Sequence, residues 1–172
     1  ILLVTSARPG DGKTFTSINV ALAMAFEKDA RVLLMDCDAY RQAASLYLGI
    51  TAEQGWVDVA RDPSLPIQGH ILQTNIPGLS VLPAGHKSEE IPELMASQRM
   101  RTIFDTLVRD DPGRYIVVDA LPCLASSEAS ILAGIAGQTI FVVAAHQTSR
   151  EDIEASLRTL SASPSVSLVL NK

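Results

Sequence analysis

The chain has 172 residues, of which 47% are hydrophobic, and it carries a formal net charge of -5. This composition supplies enough apolar material for one globular core, and the acidic balance argues against non-specific binding of nucleic acid. The sequence has no charged leader before its opening ILLVT and no apolar run of about 18 or more residues, so it predicts neither a secretory signal nor a membrane span. The two cysteines, Cys37 and Cys123, lack the spacing of a metal site and favour a reduced, cytoplasmic setting.

Short apolar runs recur along the chain and predict β-strands. In chain order they cover residues 1–6, 31–36, 79–85, 115–120, 139–145 and 166–171. Most of these runs are apolar at successive positions, which is typical of strands buried between two layers of helices. Amphipathic patterns between them predict helices over residues 14–28, 39–48, 90–109, 126–136 and 149–162. The alternation predicts an α/β fold in which helices flank a doubly wound, mostly parallel sheet.

Residues 49–78 break this alternation, since their prolines and weak periodicity predict a short helical insertion and loops. Trp56 in this region is interpreted as packing the insertion onto the sheet, with an anchor for a partner protein as the alternative. No repeat and no long linker divides the chain. We therefore expect residues 1–172 to form a single domain, and we expect that domain to be the ordered part of a longer protein.

The loop after the first predicted strand has the composition of a phosphate-binding loop. It reads ARPGDGKT from Ala7 to Thr14 and leads directly into the first predicted helix. Glycines allow backbone N–H groups to turn towards phosphate oxygens, and the start of the helix adds the positive end of its dipole. In this arrangement Lys13 would reach the β- and γ-phosphates of a nucleotide, and the Thr14 hydroxyl would ligate Mg²⁺. Ala7 replaces the first glycine of the strict pattern, and the alternative is an ordinary glycine-rich turn with an exposed lysine.

Carboxylates follow two other predicted strands. Asp36 and Asp38 end the run RVLLMDCD, and Asp119 ends the run YIVVD. Because ligands of such sheets bind outside the carboxyl ends of the strands, we expect these side chains to lie beside the phosphate-binding loop. One aspartate of the pair would contact the coordination shell of Mg²⁺, and the other would activate an attacking hydroxyl group. Asp119 would coordinate Mg²⁺ directly or through its outer shell. Each aspartate taken alone fits a helix cap equally well.

Together these motifs resemble those of the bacterial tyrosine kinases of exopolysaccharide synthesis, the BY-kinases, which are similar to the partition and septum-site ATPases. The matching stretches are SARPGDGKTFTSINVALAMA for the Walker A motif, VLLMDCDAYR for Walker A-prime and YIVVDALPCLASSEA for Walker B. The exosortase-associated subgroup is the most similar, through GLSVLPAG, ELMASQRMR and the final LVLNK. The resemblance covers nearly the whole chain and implies an ATP-dependent protein-tyrosine autokinase with a P-loop NTPase fold.

The resemblance also implies a role for each site residue. ATP would be bound by Pro9, Gly10, Asp11, Gly12, Lys13, Thr14, Phe15 and Asn171, with Asn171 contacting adenine. The catalytic residues would be Lys13, Asp36, Asp38 and Asp119, and Mg²⁺ would be held by Thr14, Asp36 and Asp119. The implied partners are further copies of the chain and a membrane polysaccharide co-polymerase that supplies an activating segment, without nucleic acid. The implied location is cytoplasmic, at the inner membrane through that partner.

Several features depart from the family pattern. Ala120 and Leu121 follow the Walker B aspartate where relatives carry Ser or Thr and then proline, so we expect a lost hydroxyl and a looser turn. The tyrosines are scattered rather than gathered in a C-terminal cluster. Arg8 stands where the partition ATPases carry a signature lysine that reaches across a dimer, and this replacement, together with the acidic net charge, counts against a partition-type ATPase. Two alternatives to a kinase therefore stay open: a nucleotide-binding regulatory module without kinase turnover, and a partition-type ATPase.

Overall fold

A seven-stranded sheet forms the centre of the computed structural model, which describes residues 1–172. Its strands are β1 (Leu2–Ser6), β2 (Arg31–Asp36), β3 (Leu72–Gln73), β4 (Leu79–Leu82), β5 (Arg114–Asp119), β6 (Gln138–Ala144) and β7 (Val166–Asn171). They lie in the order β3-β4-β2-β5-β1-β6-β7, and every neighbouring pair is parallel except β3 with β4. The helices are α1 (Lys13–Ala25), α2 (Ala43–Tyr47), α3 (Trp56–Arg61), α4 (Ile91–Ala96), α5 (Gln98–Asp110), α6 (Glu128–Ala133) and α7 (Arg150–Thr159), with a short 3-10 helix over Ile67–His70. None of these helices is long and apolar enough to span a lipid bilayer.

Hydrophobic side chains pack on both faces of the sheet. Successive residues of a strand point to opposite faces, so Leu3 belongs to one buried cluster and Val4 to the other. The larger cluster has 29 residues and includes Phe104 of α5, whereas the smaller has 11 and includes Ile18 and Ala21 of α1. The central strands thus contribute to two hydrophobic layers, which confirms the predicted doubly wound, mostly parallel α/β fold.

The helix predicted over residues 90–109 is interrupted at Ser97. The backbone of Ser97 is extended, and its hydroxyl accepts a hydrogen bond from the N–H of Met100 at 3.1 Å. Serine is a favoured helix cap because its hydroxyl satisfies an N–H group that has no partner within the helix. The chain therefore ends α4 and starts α5 at this residue, and the prediction of one continuous helix is wrong.

The prediction of buried strands fails at one edge of the sheet. Leu168 and Leu170 of β7 are 57% and 73% exposed, because β7 is an edge strand that pairs only with β6. At the opposite edge, the insertion contains the two-residue strand β3, which was not predicted and pairs antiparallel with β4. Trp56 of the insertion is fully buried, as its packing interpretation requires.

The strand order brings three strand ends side by side. Strand β5 lies between β2 and β1, and Asp119 at its end is the register partner of Asp36 on β2 and of Val4 on β1. The glycine-rich loop follows β1 directly. Both strand-end carboxylates therefore meet the loop at the carboxyl ends of the central strands.

Candidate functional site

The loop between β1 and α1 borders an open cavity. Gly10 and Gly12 adopt left-handed backbone conformations, with φ of 94° and 100°, which glycine reaches without the steric cost of a Cβ atom. Helix α1 begins at Lys13, so its first N–H groups, which have no partner within the helix, can face phosphate oxygens. The cavity is lined by Pro9, Gly10, Gly12, Lys13, Thr14, Phe15, Arg41, Ala43 and Tyr47. We refer to the loop and the start of α1 as the phosphate cradle.

Asn171, at the end of β7, packs against the cradle. Its side-chain amide donates a hydrogen bond to the carbonyl oxygen of Asp11 at 3.1 Å. A Cβ atom on Gly12 would lie 2.1 Å from the Nδ2 atom of Asn171, well inside contact distance. Gly12 therefore suits the positive φ, and a methyl group there would displace the Asn171 side chain from its hydrogen bond with Asp11.

We expect Gly12→Ala to lower the free energy of unfolding by about 2 kcal/mol or more, because the new methyl group adds a clash with Asn171 to the left-handed strain. Gly10→Ala is the matched control, since Gly10 has a similar φ but no atom within 4 Å of the position of its Cβ. Denaturant unfolding of both variants, alone and combined with Asn171→Ala, measures the difference. Equal losses in the two variants would contradict the steric explanation, and so would a Gly12→Ala loss that Asn171→Ala leaves unchanged.

Four polar side chains form a buried hydrogen-bonded chain beside the cradle. The Nζ atom of Lys13 donates to Asp38 Oδ2 at 3.0 Å and to Thr14 Oγ1 at 3.1 Å. Thr14 Oγ1 in turn donates to Asp119 Oδ2 at 2.9 Å. All four residues are at most 8% exposed. Because burial removes most of the screening by water, each charge in this chain depends on its partner.

Asp36 is held by contacts from outside the three motifs. Its Oδ2 atom accepts hydrogen bonds from the N–H and the hydroxyl of Ser45 at 2.9 and 2.8 Å. Its carbonyl oxygen accepts the indole N–H of Trp56 at 2.9 Å. Burial raises the pKa of the Asp36 carboxyl group, although the two hydrogen bonds from Ser45 oppose that rise. Ser45 and Trp56 therefore fix the end of β2 at the site.

Two carboxylate oxygens of the site fit ligands for a cation. The Oδ1 atoms of Asp36 and Asp119 are buried and have no hydrogen-bond partner. Buried polar atoms normally have partners, so these two oxygens are the unusual feature that a bound cation would explain. No group of three or more His, Cys, Asp or Glu residues that could hold a metal ion is present. This arrangement suits Mg²⁺, which takes one or two carboxylates and completes its shell with substrate phosphates and water.

Asp119 titrates close to neutral pH. Burial raises the pKa of its carboxyl group to about 6, the charge of Lys13 opposes the rise, and the charge of Asp36 adds to it. The folded protein therefore binds this proton more tightly than the unfolded chain does. In the absence of Mg²⁺ and nucleotide, the ionised Asp119 costs stability above pH 6, and this cost disappears as the pH falls towards the ordinary pKa of aspartate near 4.

We expect Asp119→Asn to raise the free energy of unfolding at about pH 8, on the order of 2 kcal/mol, when Mg²⁺ and nucleotide are absent. The amide keeps an acceptor for the Thr14 hydroxyl and removes the buried charge. The gain should shrink towards about pH 4, where the wild-type carboxyl group is already protonated. Denaturant titrations across this range test the expectation, and a gain that increases as the pH falls would contradict it.

The structure gathers most of the predicted nucleotide-binding residues. Six of them line the cavity: Pro9, Gly10, Gly12, Lys13, Thr14 and Phe15. The other two, Asp11 and Asn171, lie beside the loop without lining the cavity, and the Asp11 carboxylate accepts the N–H of Arg8 at 2.9 Å. Sequence reasoning missed Ala43 and Tyr47 of α2, because only the folded position of that helix brings it to the cradle.

The segment after β5 is hydrogen-bonded to the end of β1. The Thr5 hydroxyl donates to the carbonyl oxygen of Leu121 at 2.7 Å, and the N–H of Cys123 donates to the carbonyl oxygen of Ser6 at 2.8 Å. These two bonds tie the segment after β5 to the end of β1. Ala120 is fully buried and presents a methyl group beside Asp119 where the family pattern has a hydroxyl.

Arg8 is engaged within its own chain. Its Nε and Nη2 atoms donate to the two carboxylate oxygens of Asp152 at 2.7 and 3.0 Å. Asp152 lies in the first turn of α7, so the pair joins this helix to the cradle. The bidentate geometry orients the guanidinium towards Asp152, while the Arg8 side chain stays 63% exposed.

Comparisons with known proteins agree with this geometry. The model of a family described as AAA domain matches residues 1–165. The tyrosine-protein kinase wzc of Salmonella typhimurium is 30% identical over 159 residues, which make up 91% of this chain and 21% of the relative. The chain spans 21% of the length of each of the first curated relatives it matches, all of them named as tyrosine-protein kinases or putative ones.

Solved structures show the same fold. The crystal structure of the VpsO kinase domain is 27% identical, with a TM-score of 0.87 over 99% of this chain and 84% of the other. Cobyrinic acid a,c-diamide synthase from Mycobacterium smegmatis, solved with a bound ATP analog and magnesium, is 20% identical, with a TM-score of 0.78 over 97% of this chain and 71% of the other. The chain therefore belongs to the AAA domain family, and the resemblance to bacterial tyrosine kinases that its motifs predicted is confirmed.

Proposed function

We propose that the chain is the nucleotide-binding domain of an ATP-dependent protein-tyrosine kinase, which transfers the γ-phosphoryl group of ATP to a tyrosine of its own or of a sister subunit. The observation that carries the proposal is the buried Lys13–Asp38 pair, with 3.0 Å between Nζ and Oδ2, beside the cradle. In this pair Lys13 would bind phosphate and Asp38 would accept a proton, so one pair of neighbouring side chains would supply both functions that the transfer needs. The similarity to named tyrosine-protein kinases supports tyrosine as the acceptor.

The cradle and the polar residues beside it would orient ATP across the carboxyl ends of the strands. Lys13 and the backbone N–H groups of the cradle would hold the β- and γ-phosphates. Thr14, Asp36 and Asp119 would hold Mg²⁺, which supplies charge neutralisation on those phosphates when bound. Asn171 lies on the β7 side of β1, and Asp38 follows β2 on the other side. We infer that the adenine lies towards Asn171 and the γ-phosphate towards Asp38.

In the proposed reaction Asp38 accepts the proton of the tyrosine hydroxyl. The hydroxyl oxygen attacks the γ-phosphorus, the bond from that phosphorus to the β-phosphate oxygen breaks, and ADP leaves. A γ-phosphate in the cradle would compete with Asp38 for Lys13, which would free the carboxylate of Asp38 to face the tyrosine hydroxyl. Positioning and charge neutralisation by Lys13 supply the remainder of the catalysis.

The proposal is tested by incubating the protein with Mg²⁺, ATP and a tyrosine-containing peptide, with Lys13→Met as the control. Mass spectrometry of the protein and of the peptide should find phosphotyrosine that requires Mg²⁺ and is absent from the control. Binding of MgATP is measured in parallel by calorimetry. Tight binding without phosphotyrosine on either acceptor would overturn the kinase proposal.

One observation favours a second candidate, a nucleotide-binding regulatory module without kinase turnover. Ala120 is buried beside Asp119 and offers no hydroxyl to the metal shell. A module of this kind would bind MgATP and change its self-association without transferring phosphate. Replacement of Ala120 by Ser separates the candidates, because a gain of phosphotyrosine in a protein otherwise inactive would identify the missing hydroxyl as the cause.

We further propose the partners and the location that the resemblance implies. The chain would act as a single domain of a longer protein that associates with other copies of itself. It would be activated in the cytoplasm by a membrane polysaccharide co-polymerase at the inner membrane, in the regulation of exopolysaccharide synthesis. A rate of phosphotyrosine formation per mole of protein that rises with protein concentration would support transfer between copies, whereas a rate per mole that is independent of concentration would limit transfer to the same copy.

A further inference from the structure

We propose that Arg41 is a second cation of the phosphate cradle and contacts the terminal phosphate of a bound nucleoside triphosphate. The inference deepens the proposed function and rests on it. Arg41 lies in the loop after β2, outside the glycine-rich loop, yet it lines the same cavity as Lys13 and Thr14. No other arginine lines this cavity.

The backbone of Arg41 is fixed to the proposed base. Its N–H donates to the carbonyl oxygen and to the Oδ1 atom of Asp38, both at 3.2 Å. The N–H of Gln42 donates to the same carbonyl oxygen at 2.6 Å. This turn sets the position of Arg41 relative to the carboxylate that would receive the tyrosine proton.

The guanidinium of Arg41 is available for an anion. Six other arginines form ion pairs with carboxylates, for example Arg8 with Asp152, whereas Arg41 forms none and is exposed. Lys13, the other cation lining the cavity, is already paired with Asp38. A guanidinium presents a planar set of N–H donors that matches phosphate oxygens. Arg41 is therefore the unpaired cation at the mouth of the cradle.

The charge of the site makes a second cation useful. Three buried carboxylates, those of Asp36, Asp38 and Asp119, face one buried lysine. Lys13 and a bound Mg²⁺ ion together would carry three positive charges, which only equal the three carboxylates, so without Arg41 the side chains and the metal would offer a triphosphate no net positive charge. Arg41 supplies a full positive charge at the point where further negative charge arrives.

The strand order assigns Arg41 to the terminal phosphate. Arg41 follows β2, on the same side of β1 as Asp38, whereas Asn171 ends β7 on the other side of β1. If the adenine lies towards Asn171, the phosphate nearest Arg41 is the last of the chain. Arg41 would then distinguish ATP from ADP, and it would oppose the charge that develops during transfer.

The test compares Arg41→Ala with the wild-type protein in calorimetric titrations of the β,γ-imido analog of ATP and of ADP, each with Mg²⁺. We expect the variant to bind the triphosphate analog about tenfold more weakly and ADP at most about twofold more weakly. Arg41→Lys should recover part of the loss. Arg101→Ala is the matched control, because Arg101 also forms no ion pair but lines a separate cavity with Gln98 and Asp105.

The outcomes separate the contact of Arg41 with the terminal phosphate from the kinase activity. Equal losses for the two nucleotides, or no loss, would overturn the assignment of Arg41 to the terminal phosphate. A selective loss in a protein that forms no phosphotyrosine would support the assignment and overturn the kinase proposal alone. Failure of the wild-type protein to bind either nucleotide would overturn both. Because Arg41 is exposed, the variant should fold as the wild type does.

Discussion

Asp38→Asn is expected to lower the rate of phosphotyrosine formation by about 10² to 10⁴, the range that positioned proton transfer contributes to catalysis. The amide retains the shape of the side chain but cannot take a proton from a tyrosine hydroxyl. Because the neutral amide would release Lys13 from its ion pair, affinity for MgATP should be unchanged or higher. Rates at saturating MgATP, measured with a tyrosine-containing peptide, and calorimetric affinities provide the two readouts.

Asp105→Asn serves as the control for this experiment, since it makes the same chemical change on α5, away from the cradle. It should leave both readouts at the wild-type value. A loss of MgATP affinity in Asp38→Asn that matches the loss of rate would mean that Asp38 organises the binding site instead of accepting the proton. A rate within about tenfold of the wild type would remove Asp38 from the proposed role altogether.

Lys13→Met is expected to eliminate nucleotide binding and to lower the free energy of unfolding by about 3–5 kcal/mol, the usual cost of leaving one member of a buried ion pair alone. Asp38 is 1% exposed and would lose the ammonium that neutralises it. Combining Lys13→Met with Asp38→Asn should restore most of the stability, because no unpaired charge is then buried. The double variant should still bind no nucleotide, since the phosphate-binding cation stays absent.

Denaturant unfolding of the two single variants and the double variant forms a thermodynamic cycle that isolates the pair. Additive losses of stability would show that Lys13 and Asp38 are not coupled, which contradicts the competition for Lys13 in the proposed mechanism. If the double variant recovers stability but not nucleotide binding, the loss of binding on removing Lys13 is separated from the loss of stability. The single variant Lys13→Met shows both effects at once, so the double variant is the better inactive control.

The central sheet was predictable because its signals are local. Runs such as RVLLMD and YIVVD are apolar at successive positions, and each ends in an aspartate at the carboxyl end of its strand. The expectation that these aspartates meet beside the glycine-rich loop followed from parallel topology, and Asp36 and Asp119 are register partners in the structure. The binding and catalytic roles of these residues stay predictions.

The features that were not predicted depend on contacts between distant residues. Ser45 and Trp56 bind Asp36 across 9 and 20 positions of sequence, and neither belongs to a motif. Helix α2 starts at Ala43 rather than near residue 39, because Gln42 adopts a left-handed backbone conformation, with φ of 52°, between the turn after Asp38 and the helix. The exposure of β7 depends on strand order, which an apolar run such as VSLVLN does not encode.

Trp56 is the single tryptophan of the chain, is fully buried, and donates its indole N–H to the carbonyl oxygen of Asp36 at 2.9 Å. The protein therefore carries an intrinsic fluorophore that is hydrogen-bonded to the backbone of Asp36, one residue of the proposed magnesium site. A movement of the Asp36 backbone would alter the hydrogen bond of the indole and, with it, the emission. If binding of the metal and nucleotide moves the end of β2, stopped-flow fluorescence of the unlabelled protein would report it in real time, with Trp56→Phe as the dark reference.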